Sequence, residues 1–381
     1  MQTVFQINVP TSVRFGTGAI QALRSLLPAH PGLVLLVRGA SAETSKPVRD
    51  VFEASGIAFC QVQAQGEPTI ASVNAAFSEV APKDVSAIVA CGGGSVLDTA
   101  KALRFCIDIR STLPDDLSAL DAEALNRPSS LPLIAIPTTA GTGAEVTCNA
   151  VLGTATSKTS IRGQGLYPDV ALVDPSVMSS APKHVILGAG LDAVTQTIEA
   201  YTSCKSTPFT NALTEPNVRI GPQALRAVVE RGDVAGWNRI AWVSLSSGLA
   251  LSNGGLGAAH GLAAVLGARL GAPHGLLCGR LLGPVLLRNR AGAERGSDTF
   301  RKLEACIGAL ADAFPSQDMS APLSGFDAWL QTHQVPRLRD YGAEVSRFDT
   351  VAEAAVFASS STKNAVPLKT SDFREILDAA F

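Results

Sequence analysis

The sequence predicts an α/β N-terminal domain built on a parallel sheet, followed by an all-helical C-terminal domain. Three observations lead there. The chain has 381 residues, more than one compact core usually absorbs. Its first half alternates short apolar runs with helix-like stretches, the pattern of a parallel sheet covered on both faces. Its second half, from about Lys183, has few β-branched runs and is dominated by helical periodicity.

In order, residues 19–27 read as a helix and residues 33–37 as a strand that ends at Arg38-Gly39. A second strand spans 85–91 and stops at Gly92, and a helix follows over 96–106. Residues 110–116 open what looks like a surface insertion. Strands at 131–136 and 170–173 end at Pro137 and at Asp174-Pro175. Beyond the junction near Ala181-Pro182, helices are expected at 190–201, 222–230, 238–252, 256–270, 275–289, 298–313, 328–333 and 349–358. The expected domains are therefore residues 1–181 and 182–381.

Bulk properties exclude several classes. The net charge is -2 and no run of Lys or Arg occurs, so a nucleic-acid partner is not expected. The N-terminus lacks a basic segment followed by an apolar one, so no signal peptide is expected. Residues 241–268 carry no Lys, Arg, Asp or Glu, but Asn253, Gly254 and Gly255 break the stretch and several serines with His260 make it too polar to face lipid. Seven cysteines, widely spaced and without C-x-x-C, fit free thiols in a reducing cytoplasm.

Two loops suit a phosphate ligand. Gly92-Gly93-Gly94-Ser95 ends a strand and opens a helix, so backbone N–H groups and the helix dipole can meet an anion. Ser95 and Asp98 also have capping-box-like spacing. Three glycines alone equally fit a capped turn with no ligand. The segment from Pro137 to Thr147, with Thr138, Thr139 and Thr142 among its glycines, also follows a strand. Two such loops at the carboxyl ends of strands in one sheet point to a nucleotide crevice.

A second constellation could hold a metal. Asp192 and Gln196 stand at i and i+4, on one helix face. His260 and His274, two of only five histidines, lie fourteen residues apart, the second at a helix start. A carboxylate, an amide oxygen and two imidazoles can bind a divalent ion with one position open. On spacing alone, the same residues also fit a solvated helix face and two core histidines.

Together these segments resemble the iron-containing (group III) alcohol dehydrogenase family along nearly the whole chain. The match runs through Ser12-Val13-Arg14-Phe15-Gly16, the loop from Gly92 to Lys101, the segment from Pro137 to Thr147, Asp174-Pro175 and Gly190-Leu191-Asp192-Ala193. It continues through the stretch from Asn253 to Gly261 and Pro273-His274-Gly275. The resemblance implies an NAD(P)-dependent alcohol dehydrogenase or aldehyde reductase acting on a small alcohol or aldehyde. It implies NAD or NADP on the N-terminal domain, with Lys158 facing the nucleotide. It further implies iron(II) or zinc on Asp192, Gln196, His260 and His274, with Asp192, His260 and His274 at the reacting centre, and a homodimer.

Three positions depart from the family's pattern. Gln196 stands where the family has a histidine, and a neutral amide suits iron or zinc less well than imidazole. Ala264 stands where members carry a further histidine, leaving the proton to water or a ribose hydroxyl. Gly39 replaces the acid that holds the 2′-hydroxyl in NAD-preferring members. That leaves room for a 2′-phosphate beside Arg38, and favours NADP. Gln196 also keeps open a metal-independent reductase similar to maleylacetate reductase. A synthase resembling dehydroquinate synthase and a non-catalytic nucleotide binder remain as further readings.

Overall fold

The computed structural model describes residues 4–154, 158–316, 318 and 321–381. Two compact units emerge, one of Val9–Pro182 and one of Lys183–Phe381 joined by the N-terminal segment that ends at Asn8.

In the first unit, β1 (Ser12–Phe15) precedes α1 (Leu23–Leu26) and β2 (Leu33–Arg38). Then come α2 (Lys46–Ala54), β3 (Phe59–Gln63), α3 (Ile70–Val80), β4 (Val85–Gly92) and α4 (Gly94–Ile109). Next are α5 (Ala122–Asn126), β5 (Leu133–Pro137), the strands β6 (Asn149–Gly153) and β7 (Lys158–Arg162), β8 (Val170–Val173) and α6 (Pro175–Met178). Six strands form one sheet in the order β1-β8-β5-β4-β2-β3, with every pair parallel. The strands β6 and β7 pair antiparallel as a separate hairpin.

Side-chain alternation explains why the sheet is covered on both faces. Val34, Leu36, Ala87, Val89, Ile134 and Ile136 pack with Leu23 of α1 and with Val48 and Phe52 of α2. Their neighbours Leu35, Val37, Ile88, Ala90, Leu133 and Ala135 pack with Val96, Leu97, Ala100 and Leu103 of α4. Each Val, Leu, Ile or Phe among them contributes about 1.5–3 kcal/mol on full burial.

Sequence reasoning missed β3, whose Phe-Cys-Gln-Val-Gln run is too polar to look like a sheet strand, and also the β6–β7 hairpin. The surface insertion expected after Arg110 is exposed over most of residues 110–116 and anchored at Leu113. Asn74 exchanges two hydrogen bonds with the backbone of Leu113, and Leu113 joins a buried cluster with Leu125.

The second unit contains α7 (Lys183–Thr202), α8 (Pro208–Arg231), α9 (Val234–Gly254), α10 (Ala258–Leu270) and α11 (His274–Gly292). It continues with α12 (Asp298–Ala313), α13 (Ser324–Thr332), α14 (Phe348–Val356) and α15 (Thr370–Ala380). From Gly190 to Thr202, α7 is buried on all sides, as the central helix of a bundle must be. It packs against α8, α9 and α11.

Helix α8 begins fourteen residues before the expected start at Pro222. Both Pro216 and Pro222 lie inside it, because packing against α7 and α9 outweighs the local break. Among the described residues no single helix is long and apolar enough to cross a membrane. The pair formed by α9 and the first part of α10 passes on composition only as a pair, bent by 96°.

Candidate active site

The α/β unit brings the two predicted phosphate loops together. The strands β4 and β5 are neighbours in the sheet, with Gly92 beside Pro137. The N–H of Thr138 donates to the Gly92 carbonyl at 3.0 Å. A Cβ on Gly94 would lie 2.9 Å from Thr142 Oγ1, and one on Gly93 would lie 3.1 Å from Thr139 Oγ1. The glycines therefore let one loop nest against the other.

Gly93 is the N-cap of α4, and no side chain caps that helix. Ser95 is thus a first-turn residue, and the expected capping box does not form. Asp98 turns elsewhere, accepting the Val151 N–H at 3.0 Å and lying 3.7 Å from the buried Lys101 ammonium. Lys101 in turn donates to Thr147 Oγ1 and to the Asn149 carbonyl.

Gly39 follows β2, which pairs with β4 on the side away from β5. The chain runs outward from β2 to β3 and, in the opposite sense, from β4 to β5. The carboxyl ends of β2 and β4 therefore flank a topological switch point, where such sheets take their ligands. A Cβ on Gly39 would meet only Val96 Cγ2, at an ordinary 3.7 Å. The Arg38 guanidinium lies along this loop, donating to the Gly39 carbonyl at 2.9 Å and to Gln61 Oε1 at 3.1 Å. Lys158 opens β7, and its side chain lies outside the described residues.

In the helical unit, the predicted ligands come from three helices. Asp192 sits on α7, His260 on the first turn of α10 and His274 at the first residue of α11. His260 Nε2 lies 3.2 Å from Asp192 Oδ1, and His274 Nε2 lies 3.8 Å from the same oxygen. A fourth group, Cys278, completes the set, and the ligand atoms of these four residues all lie within 4.8 Å of one another. Gln196, one turn along from Asp192, donates its amide N–H to Ser247 Oγ on α9 at 2.9 Å. Ala264, four residues beyond His260, is exposed.

Glu199 is the second residue that sequence reasoning missed. Its carboxylate accepts the backbone N–H groups of Gly257, Ala259 and His260, and meets His260 Nδ1 at 2.7 Å. A buried carboxylate at the N-terminus of α10 complements that helix's dipole and leaves His260 Nε2 facing Asp192. The available signal was spacing. Asp192, Gln196 and Glu199 recur at i, i+4 and i+7 on one face of α7, and His274 and Cys278 at i and i+4 on α11.

Charge in this cluster is mutually arranged. Burial alone would lift the Asp192 carboxyl, but the His260 hydrogen bond and the two imidazoles hold it below the usual carboxylate range. Burial would also raise the Cys278 thiol, and the same imidazoles hold it below its ordinary value. Beside Cys278, His274 is raised to about 9. These donors are carboxylate, imidazole and thiol, the types that bind divalent transition metals, and an ion would take the place of the imidazolium protons.

Known proteins match along the whole length. The profile of the iron-containing alcohol dehydrogenase family matches residues 10–175. That of the C-terminal part of the Fe-containing alcohol dehydrogenase family matches residues 186–381. The probable alcohol dehydrogenase EutG of Salmonella typhimurium is 37% identical over 295 residues, which are 76% of this chain and 72% of that protein. The 1-propanol dehydrogenase PduQ of the same organism is 27% identical, with 97% of this chain and 98% of that one covered. A crystal structure of a 1,3-propanediol oxidoreductase superposes with a TM-score of 0.85 at 25% identity, covering 99% of this chain and 100% of that one.

Proposed function

We propose a metal-assisted hydride transfer for this chain, which belongs to the iron-containing alcohol dehydrogenase family and is an oxidoreductase of the alcohol–carbonyl couple. The observation that carries the reading is the convergence of Asp192, His260 and His274 from three helices, with Glu199 fixing the middle imidazole.

In this reading Asp192, His260 and His274 hold iron(II) or zinc, and the fourth donor to which the sequence points is Gln196. When bound, the ion supplies a Lewis acid for the carbonyl oxygen and the nicotinamide supplies the hydride. Asp192 brings the negative charge that an ion needs. Glu199 keeps the His260 ring in one orientation and one tautomer. The N–H groups at the start of α4, with Gly92, Gly93, Gly94 and Ser95, receive the pyrophosphate, and Thr138, Thr139 and Thr142 form the facing wall. Asp98 holds that wall's continuation through the Val151 N–H. Because Ala264 carries no titratable group, the substrate proton passes through water or a ribose hydroxyl.

NADP is the preferred cofactor in this reading, supported by Arg38 beside an unobstructed Gly39. The substrates are small alcohols and aldehydes. All seven cysteines are free, which supports a cytoplasmic setting. The sheet ends at β1 with Val13 and Phe15 exposed, which supports a homodimer, since an exposed apolar edge strand invites association.

A second reading, a metal-independent reductase, is favoured by Gln196 itself, because a neutral amide oxygen suits iron or zinc less well than imidazole. Oxidation of NADPH and of NADH against an aldehyde panel, before and after chelation and with metal content measured in parallel, separates the two. Activity lost on chelation and restored by zinc or iron(II) is expected. Full activity in metal-free protein would replace the Lewis-acid mechanism with the second reading.

A further inference from the structure

Cys278 is fully buried, one helical turn beyond His274, and its Sγ stands 3.6 Å from His274 Nε2. Nothing in the nucleotide unit or in substrate hydride chemistry calls for a thiol there. We infer that Cys278 is the fourth ligand of the divalent ion, so that the centre is a carboxylate, two imidazoles and one thiolate, while Gln196 ties α7 to α9. This inference rests on the metal-assisted reading above.

Three observations carry it. The Sγ of Cys278 lies within 4.8 Å of the Asp192, His260 and His274 ligand atoms, so one ion can reach all four. Gln196 presents an N–H to Ser247 Oγ, and Ser247 passes its own hydrogen to the Ser244 carbonyl, a chain that fastens α7 to α9. The third observation concerns the backbone. Each of the two α11 residues is followed by a glycine pressed onto α7. A Cβ on Gly275 would collide with the Gly188 carbonyl and lie 3.1 Å from Asp192 Cβ, and one on Gly279 would lie 2.7 Å from Leu191 Cδ1. The approach that brings His274 to Asp192 therefore brings Cys278 with it.

The chemistry follows from the donor set. Binding displaces the thiol proton to solvent and forms a metal–sulfur bond. Sulfur is softer than the amide oxygen it replaces, so the site is biased toward zinc over iron(II). The ion accepts no electrons and the ligands change no oxidation state.

The test is spectroscopic and uses the full chain. Zinc-loaded wild-type protein should show one sulfur scatterer at about 2.3 Å in its zinc-edge absorption fine structure, beside nitrogen and oxygen at about 2.0–2.2 Å. Cobalt(II)-loaded protein should show a thiolate-to-cobalt charge-transfer band. The band should vanish in Cys278→Ser and persist in Gln196→Ala, each variant first checked for native circular dichroism. Zinc affinity should fall in Cys278→Ser by more than the about 10–100-fold that loss of an orienting partner costs. Stoichiometric metal with no sulfur scatterer and no band in the wild-type protein overturns the inference and leaves the metal-assisted reading standing. No uptake of zinc, iron(II) or cobalt(II) overturns both.

Discussion

Glu199 Oε2 and His260 Nδ1 stand 2.7 Å apart in a buried pair, and the same carboxylate also accepts the His260 backbone N–H. One side chain thus fixes both the ring and the helix turn that carries it. In a metal centre that arrangement sets the direction of the other ring nitrogen, which faces Asp192.

Replacing Glu199 with Gln should weaken the centre without deleting a ligand. Zinc affinity is expected to fall about 10–100-fold, as for other orienting partners. A Gln offers one acceptor oxygen where four N–H groups now converge, so the fold should also lose about 1–3 kcal/mol for each donor left unpaired. Competition with a chromophoric chelator and thermal melting measure the two effects. Unchanged affinity would remove Glu199 from the site.

The nested loops make Gly94 sensitive. In Gly94→Ala the new methyl must displace Thr142, whose Oγ1 would be 2.9 Å away. The dissociation constant for NADPH should rise about tenfold, equivalent to about 1.4 kcal/mol. Metal content should not change. Fluorescence titration with NADPH reads the first, and elemental analysis the second. Equal affinity in variant and wild type would show that the pyrophosphate does not sit on this loop.

Cofactor choice should turn on one position. Gly39→Asp places a carboxylate beside Arg38, where it would repel a 2′-phosphate and accept from a 2′-hydroxyl. The ratio of kcat/KM for NADPH over NADH should fall at least about tenfold. A ratio that stays put would count against the NADP reading.

Glu145 supplies a pH signature of the nucleotide unit. Burial lifts its carboxyl from the ordinary 4.5 to about 7, and the nearby Lys101 opposes that only in part. The folded protein therefore keeps a proton that the unfolded chain releases between these values. The contribution of Glu145 to stability is greatest below about 4.5, falls as the pH rises toward 7, and is lowest above it. Glu145→Gln should remove this slope, matching wild type near pH 4 and exceeding it by on the order of 3 kcal/mol at pH 8. Denaturant melts at the two pH values give the comparison, and parallel slopes would argue against a protonated Glu145.

Much of the fold was legible because β2, β4, β5 and β8 are buried runs bounded by Gly or Pro, and such runs leave a plain trace. The strand β3 left none, because only Val62 of its five residues is fully buried. The start of α8 was hidden by Pro222, which locally looks like a helix beginning and is held mid-helix by its neighbours.

In the site, Asp192 could be picked out by its four-residue offset from Gln196, and His260 and His274 as two of only five histidines, with the family resemblance deciding against a solvated face and core histidines. Cys278 could not. A thiol inside an apolar helix has the hydropathy of a core residue, and only its four-residue offset from His274 distinguishes it. Glu199 escaped because its partners are backbone N–H groups some sixty residues away, which no local pattern encodes.

Gly275 and Gly279 carry a consequence for how such a centre is lost. They hold α11 at a distance from α7 that a β-carbon forbids. During divergence, a single alanine at either place would pry the helices apart while every ligand stayed in the sequence. A descendant could thus go metal-blind with its ligand roster intact, and the glycines would record that loss where the ligands could not.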